Sequence, residues 1–250
     1  MHGKVTEEMK YVADFRIASY HVDMNQRLKP SAFMDLAQEI AYLNSNAMHF
    51  GFSDLSQNNV VWVLSRMQIK FLRLPEWGEH VTLQTWYKGA MSLFCMRDFC
   101  MTDDEGNHLV EATTLWAVID MDTRKMVRGE EMNKIISDRS VCSDSVIEEP
   151  APKVIIPKDL ATDIVVNHEV AYSDIDVVGH TNNARYLVWA MDSMDYATVA
   201  GQPLREVSIN FSHETKAGDM VTITRQHDDK AYYVAGQVDG RQAFAIEMRY

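Results

Sequence analysis

Cysteine, glycine and proline are sparse in this 250-residue chain, at three, eleven and six residues. Three cysteines, Cys95, Cys100 and Cys142, with no C-x-x-C spacing, exclude a disulfide framework and a structural zinc site. No apolar run approaches the roughly 20 residues that a membrane helix needs, so no membrane segment is expected. Cations are few as well: 24 Lys and Arg stand against 36 Asp and Glu, a net charge of −12. Such a surface repels phosphate backbones, which argues against nucleic-acid partners. The start, MHGKVTEEMKYVADF, lacks a basic segment followed by an apolar core, so no secretory signal is expected and the reading is a cytoplasmic protein with reduced thiols. No HExxH, GxSxG, Walker or Rossmann glycine pattern occurs, and neither a metal nor a cofactor is expected.

What is present is ordinary globular composition, 46% apolar and 24% charged. Residues 11–22 read as a strand. Pro30 and Ser31 start a helix whose apolar face is Phe33, Leu36, Ala37, Ile40 and Leu43, and Gly51 closes the stretch. Strands follow: Met67, Ile69 and Phe71 alternate with polar neighbours, as do Val81 and Leu83, and 91–101 and 109–121 are separated by the turn-like DDEGN at 103–107. Residues 129–162, with Gly129, Pro150, Pro152 and Pro157, read as a linker. The order then repeats. Residues 164–172 form a strand; Thr181 or Asn182 caps a helix with Ala184, Leu187, Val188, Met191 and Met194 on its apolar face. Strands around Val207–Phe211, Val221–Ile223 and Phe244–Met248 end the chain.

The halves also match in detail. HVDMNQR at 21–27 precedes DIDVVGH at 174–180 by 153 positions, and I-x-F, Gly and Val at 69–71, 78 and 81 recur 140 positions later at 209–211, 218 and 221. This implies a duplicated α+β unit. A single apolar helix followed by antiparallel strands must be wrapped by its sheet, the hotdog pattern, and two tandem units would pair their sheets side by side. The expected domains are 1–128 and 163–250.

The densest polar cluster is SDIDVVGHTNN at 173–183, between a strand and a helix. Helix N-termini expose N–H groups and carry the positive end of a dipole, suited to holding a carbonyl as it becomes an oxyanion. His180 sits at this junction with Asp174 and Asp176 nearby, and an imidazole can donate or take a proton. A solvated loop with a capping Asn and a surface His would carry the same residues. His213 adjoins Glu214, but neighbours on a strand face opposite ways, and it is set aside. His49, His80 and His108 read as surface residues. Trp62, Trp86 and Trp116 read as core, and the sixteen methionines as core that also suits an adaptable apolar tunnel.

The segment SDIDVVGHTNNARYLVW resembles the D-x-D-x-N-x-H-x-N-N-x-x-Y signature of acyl-acyl carrier protein thioesterases. WVLSRMQIKF (62–71), PEWGEHVTLQTW (75–86) and LWAVIDMDTRKM (115–126) extend the likeness over most of residues 10–250. The resemblance implies a tandem hotdog fold and hydrolysis of fatty acyl thioesters of an acyl carrier protein. It implies Asp176, His180 and Glu214 as catalytic residues, with Asn182, Asn183, Thr215 and Val178 at the substrate. Glu214 would sit in the second strand of the C-terminal half. Two positions depart from the pattern. Val178 replaces the signature asparagine and cannot donate a hydrogen bond, a loss typically worth about 3–4 kcal/mol. Thr215 replaces a cysteine found in plant members, which favours direct attack by water. In the first half Asp23 and Asn25 match the signature but Arg27 replaces the histidine, and arginine cannot act as a base. One active site is therefore expected, in the C-terminal half, with the first half shaping the acyl tunnel. Because carrier proteins are acidic, docking needs a basic patch, for which Arg66, Lys70, Arg73, Arg97, Lys125, Arg185 and Arg205 are available. An acyl-CoA thioesterase, a hotdog dehydratase or a non-catalytic acyl-binding protein are the alternatives, and a monomer or homodimer is compatible with the fused fold.

Overall fold

The computed structural model describes residues 3–127 and 141–250. Its eleven described strands, β1 (Gly3–Val5), β2 (Tyr11–Arg16), β3 (Val60–Phe71), β4 (His80–Met91), β5 (Phe94–Thr102), β6 (His108–Asp120), β7 (Asp163–Glu169), β8 (Glu206–Phe211), β9 (Met220–His227), β10 (Tyr232–Val238) and β11 (Arg241–Arg249), make one antiparallel sheet. The order is β1-β2-β4-β5-β6-β3-β8-β11-β10-β9-β7. Apart from β1, the order on one side of the β3–β8 junction repeats on the other in mirror sequence. At the junction Gln68 pairs with Ser208, 140 positions later, flanked by Met67–Ile209 and Ile69–Val207. The two halves are thus related by a pseudo-twofold axis through that pair, a double hotdog with one continuous sheet.

Helix α1 (Pro30–Ala47) and the shorter α3 (Asn183–Asp192) lie against the sheet, accompanied by α2 (Phe52–Ser56) and α4 (Tyr196–Gly201). α1 begins with proline at its first position, after Lys29 in extended conformation. It buries Phe33, Leu36, Ala37, Ile40 and Ala41; side chains of the size of Phe33 or Ile40 contribute about 1.5–3 kcal/mol each when fully buried. α3 starts at the Asn182 cap, whose Oδ1 accepts from the Ala184 N–H at 2.8 Å, and buries Tyr186, Leu187, Trp189 and Ala190. The expected faces of both helices therefore point to the core, although Leu43, Val188 and Met191 are only partly covered and Met194, itself buried, lies past the helix end at Asp192.

The expected strands are present with altered ends. Residues 11–22 leave the ladder after Arg16 because the chain turns through a short 3-10 segment, Ser19–His21, in which the Ala18 N–H donates to His21 Nδ1. Residues 164–172 leave it after Glu169, and the matching segment Tyr172–Asp174 follows, with the Ala171 N–H donating to Asp174 Oδ2. The 140-residue repeat extends to backbone conformation: Gly78 and Gly218 have φ of 86° and 88°. Of the expected linker, 129–140 lies outside the described residues. Residues 142–162 form neither helix nor strand, yet they pack closely: Cys142, Ile147, Ala151 and Val154 are buried, and Val154 exchanges two hydrogen bonds with the Asn210 side chain. No described helix is long and apolar enough to cross a membrane.

Candidate active site

The loop before α3 is built twice in this chain. In the C-terminal half Asp176 closes a tight turn: its N–H donates to the His180 carbonyl, and its Oδ1 accepts from the N–H groups of Val178 and His180 at 3.0 and 3.2 Å. In the N-terminal half Asp23 does the same with Asn25 and Arg27 at 2.8 and 2.9 Å. The third turn position takes positive φ in both, at Gly179 and Gln26. The Asp176 carboxylate therefore shapes the turn that presents His180, and an equivalent carboxylate performs this task where no histidine follows.

The next link is also duplicated. The Thr181 N–H donates to the Thr215 carbonyl, as Leu28 donates to Pro75. This brings the loop after β8 against the helix start and sets the Glu214 Oε2 3.5 Å from His180 Nε2. Both side chains are about a quarter exposed. Arg124, in the turn after β6, donates from Nη2 to the same Glu214 oxygen at 2.7 Å. Glu214 lies in this loop and not in a strand, because pairing of β8 ends at Phe211. Loop residues do not alternate, so His213 also faces the cleft, with its Nδ1 donating to the Gln242 carbonyl at 2.8 Å.

Of the other expected substrate residues, Val178 and Asn183 line the cleft. Asn182 does not; its side chain caps α3 and its N–H donates to the Asp174 carbonyl. Thr215 lies beneath the floor, 1% exposed, with its hydroxyl 2.6 Å from Thr181 Oγ1 and 3.0 Å from Tyr186 OH. Among the four backbone N–H groups from His180 to Asn183, three are already bonded to Asp176, Thr215 and Asp174. The Asn183 N–H has no hydrogen bond among the described residues and is available to an oxygen in the cleft.

Behind the turn, Asp174 is 1% exposed. Its Oδ1 accepts from Arg185 Nε at 2.9 Å, and its Oδ2 lies 2.9 Å from His168 Nε2. Burial pushes this carboxyl up, but the Ala171 N–H, His168 and Arg185 together bring it below the usual carboxylate value.

The cleft measures about 560 Å³ and is lined by these polar residues together with Trp62, Trp116 and Phe211. Trp62, Trp116 and Val178 also border a second, apolar cavity of about 200 Å³ formed by α1, α2 and the strands of the N-terminal half, including Ala41, Phe50 and Phe52. Trp86 is core as expected, at 2% exposure, whereas Trp62 and Trp116 pack edge to face and form the wall between the two spaces. Sequence reasoning missed Arg124 in this role. It stands 90 positions from Glu214, and nothing local to LWAVIDMDTRKM marks its contact. No group of His, Cys, Asp and Glu suited to a metal ion occurs among the described residues.

Comparison with known proteins agrees over both halves. Residues 8–135 match the model of the acyl-ACP thioesterase N-terminal domain, and residues 158–244 that of the acyl-ACP thioesterase C-terminal domain. A palmitoyl-acyl carrier protein thioesterase of Gossypium hirsutum chloroplasts is 26% identical over 85% of this chain and 54% of its own length. An oleoyl-acyl carrier protein thioesterase of Arabidopsis thaliana chloroplasts is 24% identical over 88% of this chain and 64% of its own. The chain thus spans about half to two thirds of the length of these relatives. Among solved structures, an acyl-ACP thioesterase from Bacteroides thetaiotaomicron superposes with a TM-score of 0.84 at 24% identity, covering 97% of this chain and 98% of that one. The 12:0-ACP thioesterase of Umbellularia californica gives 0.82 at 17% identity, covering 100% and 98%.

Proposed function

This chain belongs to the acyl-ACP thioesterase family, and from that membership we propose that it hydrolyses fatty acyl thioesters of an acyl carrier protein at the His180–Glu214 cleft, releasing a free fatty acid and the carrier thiol. The observation that carries the reading is the meeting of a carboxylate–imidazole pair, 3.5 Å apart, with an apolar cavity across the Trp62–Trp116 wall. A thioester has the same two parts: a polar reacting carbonyl and an aliphatic tail.

Water attacks the carbonyl carbon while the Glu214 carboxylate accepts its proton. Arg124 fixes the orientation of Glu214 through its 2.7 Å bond. The developing oxyanion takes the Asn183 N–H at the positive end of α3. When the C–S bond breaks, the proton taken from water passes through His180 to the leaving sulfur. Thr215 takes no part as a nucleophile, since its hydroxyl is buried and engaged by Thr181 and Tyr186. The tail occupies the N-terminal half. Asp176 acts through the turn it holds. The protein works in the cytoplasm, and all three cysteines are buried and outside disulfides.

Thiol release from acyl-acyl carrier protein and acyl-CoA thioesters of 8 to 18 carbons tests the reading. Glu214→Gln is expected to lower kcat/KM by about 10²–10⁴ and His180→Ala by about 10²–10³. Full activity in Glu214→Gln would remove this residue from the mechanism. Faster turnover of the CoA thioesters would identify coenzyme A as the natural headgroup.

A further inference from the structure

The pseudo-twofold axis places a second cleft where the first half would hold its own active site. Two cavities, of about 550 and 830 Å³, lie side by side and share Arg27, Leu74, Pro203, Leu204 and Tyr250 in their linings. Its residues stand in the catalytic positions. Arg27 replaces His180 at the 153-residue offset; Leu74 and Arg73 replace Glu214 and His213 at the 140-residue offset. The turn and its hydrogen bonds are retained while the acid–base pair is gone.

The replacement makes the cleft basic. Arg27, Lys70, Arg73, Arg205 and Arg249 line the larger cavity against Glu76 and Glu206, in a chain whose overall charge is −12. Arg73 is bonded to Glu79, and Arg249 to Glu247. Arg27, Lys70 and Arg205 have no carboxylate within ion-pair distance among the described residues. Two of the residues that line both cavities carry a buried donor atom without a hydrogen-bond partner: Arg27 Nε and Tyr250 OH. A buried donor left unmade costs about 1–3 kcal/mol, and both call for an acceptor oxygen. The smaller cavity extends between α1 and α3 along Ala184, Val188, Met191, Val199 and Leu204. Its bordering carboxylates do not oppose an anion equally. Asp23 is engaged by the N–H groups of Asn25 and Arg27, and Asp35, whose carboxyl burial raises above the usual value, has Arg185 and Lys29 nearby. Asp192 remains at the border.

We propose that this cleft is a non-hydrolytic binding site for a long-chain aliphatic carboxylate, its head held by Arg27 and the Tyr250 hydroxyl and its tail laid between α1 and α3. Lacking both histidine and glutamate, the site retains its ligand unchanged.

The test is binding of dodecanoate, labelled with carbon-13 at the carboxyl and followed by NMR titration of the full chain, which does not depend on turnover. Saturation is expected to resolve a second bound species beside the one in the catalytic cleft. Arg27→Gln should weaken that species about tenfold or more, and Tyr250→Phe should weaken it severalfold, since charge-assisted hydrogen bonds are the strong ones. Both variants should keep thioester turnover within about twofold of wild type. Dodecylammonium, with the same tail and opposite charge, should not bind there. A single bound species insensitive to both variants would overturn the proposal. So would a second species that survives Arg27→Gln, or equal binding of the ammonium. If Arg27→Gln fails to fold, Tyr250→Phe, which keeps the ring, decides alone.

Discussion

Replacing Asp174 by asparagine tests how the turn that presents His180 is anchored. The carboxylate is 1% exposed and takes three contacts, from the Ala171 N–H at 3.0 Å, His168 at 2.9 Å and Arg185 at 2.9 Å. Asparagine keeps one oxygen, which can retain Arg185, and turns an NH₂ towards the two donors at the other position. A buried donor left unsatisfied costs about 1–3 kcal/mol. The lost ion pair adds less than about 1 kcal/mol, because Arg185 is about a third exposed and screened by solvent. The sum, about 1–4 kcal/mol, lowers Tm by about 2–16 °C for a chain of this length. The wild-type group has a folded pKa below the ordinary 3.8. Its stabilisation is therefore present above that value and lost as pH falls through the folded pKa. The difference between wild type and Asp174→Asn in thermal unfolding followed by circular dichroism should be full at pH 7 and shrink below about pH 4. A Tm within about 2 °C of wild type at pH 7, or a deficit unchanged at pH 3, would refute this account of the anchor.

Arg124→Gln should lower kcat/KM by about tenfold while Tm stays within about 2 °C, since Arg124 is more than half exposed and such pairs contribute about 0–1 kcal/mol to stability; equal turnover would show that Glu214 orients itself. Val178→Asn should fold normally, because Asn25 already occupies the equivalent turn position and donates to the Ala200 carbonyl. It should raise kcat by about tenfold, less than the 10²–10³ of a preorganised donor, because the site is half exposed. An unchanged kcat would mean that the backbone donor suffices. Burial pushes the Cys95 thiol up to about 11 and the Cys100 thiol up to about 12. Neither should react with an aromatic disulfide reagent at pH 8 until the chain unfolds; rapid reaction of the native protein would contradict their burial.

The division of the chain was legible because hydrophobic period is a local property. Alternation at Met67–Phe71 and Val207–Phe211, helical spacing at Phe33–Ile40, and two constant offsets located the duplicated units and their pairing. The 153-residue offset also matched the segments around Asp23 and Asp176, which fold into the same turn because a short polar turn is encoded by adjacent residues. Errors came where several residues compete locally. The 3-10 segments Ser19–His21 and Tyr172–Asp174 cut the expected strands short because side-chain acceptors at their third position capture backbone N–H groups. The loop position of Glu214 and the inward turn of His213 follow from where the ladder with β11 stops.

By itself the sequence determined the double unit, the half in which His180 and Glu214 stand, and their absence from the other half, where Arg27 and Leu74 stand in their place. These depend on residue identity along a short stretch. Only the tertiary structure decided that Arg124 meets Glu214 across 90 positions, that Asn182 and Thr215 are committed to cap and floor, and that Trp62 and Trp116 divide cleft from cavity. It alone gathered Arg27, Lys70, Arg205 and Tyr250 around one basic space. Such contacts join residues from distant strands, and they exist only once pairing of β3 with β8 has closed the sheet and fixed which side chains face each other.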